Sequence, residues 1–94
     1  MTAVHTGEHV RAKVHELMPE LWDTLAALVR FKSISRQDPT ILRSTADEVT
    51  KLFRAAGAPS AQVITIKHGE AQSAPIVYAD ERRSEGPRVL LYAH

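Results

Sequence analysis

Val89-Leu90-Leu91-Tyr92-Ala93 is an unbroken apolar run, and His94 follows it directly. A strand covered by helices on both faces reads in this continuous way, whereas a strand with one wet face alternates apolar and polar residues. The run therefore predicts a buried central strand, and the rest of the chain is read outward from it.

Immediately upstream, Glu81, Arg82, Arg83, Ser84 and Glu85 make a charged loop that ends at Gly86-Pro87. Before that loop, Pro75 to Asp80 carries Ile76, Val77 and Tyr78 and predicts a second strand. Gln62 to Lys67, with Val63, Ile64, Thr65 and Ile66 in succession, predicts the first, and the polar segment His68 to Ala74 between them reads as a turn. Further back, Leu42, Ala46, Val49, Phe53 and Ala56 share one helical stripe, and Gly57 stands where a left-handed C-terminal cap needs a residue without a β-carbon. Phe31 to Thr40, with Ser33, Ser35 and Asp38-Pro39, favours turns and caps and reads as a loop. A first helix carries Val10, Val14, Leu17, Leu21, Leu25, Leu28 and Val29, with a kink or a second start expected at Pro19. Two helices followed by three strands, the last one covered on both faces, predict the first elements of an α/β, helix-flanked sheet.

Composition narrows the function classes. The chain has 94 residues, of which 44% are hydrophobic and 24% charged, the proportions of an ordinary globular protein. A chain of this length buries only about two-thirds of the surface its unfolded form exposes, so a deep cleft and a self-sufficient core compete for the same residues. Lys and Arg total 12 against 11 Asp and Glu, and the two signs are interspersed, so no basic stripe exists to follow a phosphate backbone and nucleic acid is not an expected partner. Without cysteine there are no disulfides and no thiolate metal sites, which leaves His, Asp and Glu as ligands. No apolar stretch approaches the roughly 20 residues of a membrane span, no signal peptide is legible, and the expected compartment is the cytoplasm.

In open helix-flanked sheets, ligands bind beyond the carboxyl ends of the strands, and this is where His94 falls. Three blocks sharpen that reading: Leu25 to Ser35, Leu52-Phe53-Arg54-Ala55-Ala56-Gly57, and Pro87 to His94. In order and spacing they resemble the start of the two-zinc exopeptidase and amidohydrolase family, which includes carnosinase-type dipeptidases, carboxypeptidase G, acetylornithine deacetylase and succinyl-diaminopimelate desuccinylase. Two positions depart from the family pattern. Lys32 stands where proline is frequent, and Ala93 stands where glycine is frequent.

The resemblance implies that the chain is the N-terminal segment of a metallopeptidase catalytic domain; residues 1–9 are expected to be disordered, as chain termini commonly are. It implies that His94 ligates one of two zinc ions, other divalent metals being possible occupants. The aspartate that orients this histidine would stand two positions beyond it, and the bridging carboxylate and general-base glutamate further still. Zinc would lower the pKa of a bound water and polarise an amide carbonyl. The implied substrate is a small peptide, as in the dipeptidases, with an N-acyl amino acid as the deacylase alternative. The resemblance admits a homodimeric parent, while charge distribution and hydropathy give no expectation of nucleic acid or membrane as partners. No catalytic group is expected within the chain itself, which is expected to be inactive alone. The rival from another class is a non-catalytic interaction module that reuses the scaffold.

The remaining candidates have plainer readings. His5 and His9 are four apart and would share a helix face, but no third ligand accompanies them, and His15 and His68 read as surface residues. Asp80 and Glu81 read as part of a solvated charged turn. Ser33 and Ser35 have no adjacent base and read as loop or cap residues rather than nucleophiles. Trp22, off the main stripe, reads as a half-buried packing residue or a contact to chain outside this sequence.

Overall fold

The computed structural model describes residues 7–82 and 85–94, in two units that meet between Lys32 and Ser33. Each unit is considered by itself. The chain is mixed α and β, with two helices and four short strands. Residues 1–6, including His5, lie outside the described residues, as do Arg83 and Ser84 of the charged loop.

The first unit is helix α1, Gly7–Val29. Disorder through residue 9 was expected, yet Gly7, Glu8 and His9 are helical, with Glu8 in the first turn, where a carboxylate opposes the positive helix end. Pro19 neither ends nor restarts the helix, which runs through it. A proline inside a helix removes one N–H bond, here to the His15 carbonyl. His15 is exposed, so water can satisfy that carbonyl. No residue of α1 is buried, and Trp22, read as half-buried packing or as a contact to further chain, is 63% exposed, against the first of these.

The second unit is built on α2, Pro39–Ala55. It starts inside the segment read as a loop, because Asp38 acts as the N-cap. The Asp38 carboxylate accepts from the Thr40 N–H at 2.9 Å and the Ile41 N–H at 3.4 Å, satisfying two otherwise orphaned donors. Pro39 occupies the first turn, where its missing N–H costs nothing. Asp38→Ala is expected to lower the stability of this unit by about 1 kcal/mol, whereas Asp38→Asn should cost only a fraction of that. Urea unfolding followed by helical circular dichroism would measure the difference, and equal midpoints for the two variants would contradict the cap.

The C-terminal end of α2 bears out the reading of Gly57. Gly57 has φ 107°, a left-handed conformation that suits a residue without a β-carbon. The Gly57 N–H donates to the Arg54 carbonyl at 3.1 Å and the Ala58 N–H to the Phe53 carbonyl at 3.0 Å, the paired bonds of a Schellman cap.

Strand β1, Gln62–Ile64, pairs antiparallel with β4, Ile76–Tyr78, with Val63 opposite Val77. Between them, β2, Lys67–His68, pairs with β3, Ala71–Gln72, across Gly69-Glu70. The segment read as one strand, Gln62 to Lys67, is thus divided between two ladders, and the segment read as a turn is itself a hairpin. Gly69 has φ 61°, and a positive φ at the first turn residue matches the twist of a two-residue hairpin.

The division has a local cause. The pairing register shifts by one residue between the ladders, because Thr65 and Ile66 span one side while Ser73, Ala74 and Pro75 span the other. Pro75 has no N–H to place in a ladder. Ser73 substitutes for the missing regularity: its hydroxyl accepts from the Ile66 N–H at 2.9 Å, and its own N–H donates to the Ile66 carbonyl at 2.8 Å.

Helix α2 packs on β1 and β4. The core there is thin. Ala46 and Ala61 are its buried apolar residues, and Thr50 is buried with its hydroxyl donating to the Ala46 carbonyl at 2.7 Å. Leu42, Val49, Val63 and Val77 are half-buried around them, while Phe53, on the predicted stripe, is 39% exposed.

The expected third strand is the main correction. Val89 to Ala93 forms no strand, and Val89, Leu90, Leu91 and Tyr92 are 79–89% exposed. A central strand exists only by virtue of its neighbours. Among the described residues neither a partner strand nor a covering helix face meets this run.

Candidate functional site

His94 follows the exposed apolar segment and is itself exposed. Structural zinc takes four ligands and catalytic zinc at least three from protein. Among the described residues no three His, Asp or Glu side chains come together to hold a metal ion, so the donors present do not compose a zinc centre around His94. His9 and His15 lie on α1 and His68 on β2, all exposed. Ser33 and Ser35 are exposed loop residues, and the capping role goes to Asp38 instead.

What the fold does assemble lies at the base of the apolar segment. Ser60, in the turn after α2, is tied to the end of β4 by three bonds. Its N–H donates to the Glu81 carboxylate at 2.8 Å, its hydroxyl donates to the Asp80 carbonyl at 3.1 Å, and that hydroxyl accepts from the Asp80 N–H at 3.0 Å. The turn is also held from the helix, where the Arg54 guanidinium donates twice to the Ala61 carbonyl, at 2.8 and 3.2 Å. The Asp80 carboxylate then pairs with the Arg88 guanidinium, and the Tyr78 hydroxyl approaches its other oxygen at 3.5 Å. The hydrogen bond and the charge of Asp80 hold the Arg88 guanidinium above its ordinary pKa. Asp80 and Glu81 are exposed, in keeping with a solvated turn, and serve there as anchoring groups as well. Ser60 carried no sequence signal, since its partners lie 20 and 21 residues away.

Two open clefts of about 650 Å³ flank this unit. One lies between Arg36, Pro39 and Leu42 at the start of α2 and Thr65 and Ser73 on the irregular part of the ribbon. The other lies beside the anchor, lined by Ala58, Tyr78, Asp80, Arg88 and Leu90. No helix among the described residues is long and apolar enough to cross a membrane. No family model, curated protein or solved structure matches the chain.

Proposed function

We propose that the chain is the N-terminal segment of a zinc-dependent dipeptidase of the two-zinc exopeptidase family, acting on small peptides in the cytoplasm, with His94 as its first metal ligand. The observation that carries this reading is the apolar run Val89 to Ala93 ending in His94, in series with the Ser33-Ile34-Ser35 and Ala56-Gly57 blocks. Three structural features support it. Ala56-Gly57 closes α2 as a helix cap, an antiparallel ribbon follows, and the apolar run leaves the unit with its side chains exposed, as required of a strand whose partners belong to a larger sheet. The deacylases of the same family remain the alternative, because the pocket residues that separate the branches are not among these residues.

With one donor at His94, the chain should bind zinc weakly and without fixed stoichiometry. Calorimetric titration of the chain and of His94→Ala is expected to give the same shallow isotherm. Tight one-to-one binding abolished by the substitution would contradict that expectation. The enzyme reading is tested on the gene: the coding sequence beyond His94 is expected to place aspartate two positions on, followed by acidic and histidine ligands, and its zinc-loaded product to hydrolyse dipeptides faster than N-acyl amino acids. A stop codon directly after His94 would overturn it in favour of an interaction module.

A further inference from the structure

The segment ending in His94 is tethered at its base, and the tether is made of residues that the metal site does not use. We propose that Asp80 and Arg88 form a latch, anchored through Ser60 to the turn after α2, that sets the origin and direction of the Val89–His94 segment and makes both residues positioning residues for His94. The role assigned to His94 rests on the metallopeptidase reading, whereas the latch stands on the contacts alone.

The geometry is that of a two-stage clamp. In the first stage, Ser60 and Asp80 exchange hydrogen bonds through one hydroxyl, and the Ser60 N–H holds Glu81, so the chain leaving β4 is fixed to the turn at two successive residues. In the second stage, the Asp80 carboxylate, carried on that held backbone, takes the Arg88 guanidinium. Arg88 follows Pro87, whose ring limits the backbone just before the pair. The charged loop is thereby pinned at both ends, and the apolar segment begins at its second pin. An exposed ion pair alone holds weakly, but here the backbone of one partner is already held at Ser60, so less chain freedom is lost when the pair forms.

The experiment uses the natural absence of cysteine. A nitroxide on Ala55→Cys, an exposed position at the end of α2, broadens the amide signals of Leu90 to His94 in proportion to their proximity. Asp80→Asn and Arg88→Gln are each expected to reduce that broadening severalfold while leaving the β1 and β4 amides unchanged. The charge swap of Asp80→Arg with Arg88→Asp should restore it. Ser60→Ala should also release the segment with the ion-pair residues intact, and if it unfolds the turn instead, the charge swap still decides the matter. Unchanged broadening in the single variants, or no restoration in the swap, overturns the latch. Neither result depends on zinc or on hydrolysis, so failure of the latch and failure of the metallopeptidase reading are separable.

Discussion

Replacing Ala61 with glutamate is expected to unfold the unit that carries α2 and the ribbon. Ala61 is 1% exposed and directly precedes β1, and its carbonyl is the acceptor for the Arg54 guanidinium. A longer side chain there has to displace the thin core formed with Ala46 and Thr50. Overpacking alone costs about 1–3 kcal/mol, and an unpaired buried carboxylate adds several kcal/mol more or forces the group to neutralise. A small domain has only about 5–15 kcal/mol in total, and a unit with two buried apolar residues should stand at or below the low end. The expected result is collapsed amide dispersion for β1 and β4 in nuclear magnetic resonance spectra. Ala55→Glu, six residues earlier on the exposed surface of α2, should stay within about 0.5 kcal/mol of the parent. Ala61→Leu, without the charge, should fall between the two. If Ala61→Glu melts like the parent, the packing of α2 on the ribbon is not what holds this unit together.

The second large effect concerns association. With Val89, Leu90, Leu91 and Tyr92 at 79–89% exposure, the chain displays contiguous apolar surface beside backbone groups that no strand pairs. Such segments are sites of edge-to-edge pairing and aggregation. Sedimentation velocity over a concentration series is expected to show a rising mean mass for the chain, and a calorimetric temperature scan a shallow, uncooperative transition. The double variant Leu90→Lys, Leu91→Glu should weaken association by roughly a hundredfold or more, since each buried leucine contributes about 1.5–3 kcal/mol. A monodisperse monomer that melts cooperatively would contradict both expectations.

Much of the local structure was legible because its causes are local. Gly57 stops α2 because a left-handed cap costs least without a β-carbon, whereas the start at Asp38 was hidden in a segment read as a loop, since Asp-Pro suits a turn as well as a cap. The stripe from Leu42 to Val49 predicted the face that packs on the ribbon, with Ala46 at its centre. The ribbon was legible only in outline. Val63 and Val77 pair as expected of strand residues, but the one-residue shift at Ala74-Pro75 breaks a β-branched run that reads as a single strand. Of the two outcomes read at Pro19, the second start does not occur, because a solvated helix can leave one carbonyl to water.

The site divides in the same way. His94 was conspicuous through its place after the apolar run, but a metal centre is a property of several ligands brought together, and one donor does not make one. The anchor of Ser60, Asp80, Glu81 and Arg88 was invisible, since nothing in a serine announces a partner twenty residues away. The run Val89 to Ala93 is the sharpest case. Its apolar continuity follows from composition alone, and so does its demand for cover on two faces. Whether it becomes a strand is decided by what lies beside it, because a β-strand is completed by hydrogen bonds and side chains of its neighbours, and among the described residues it remains exposed surface.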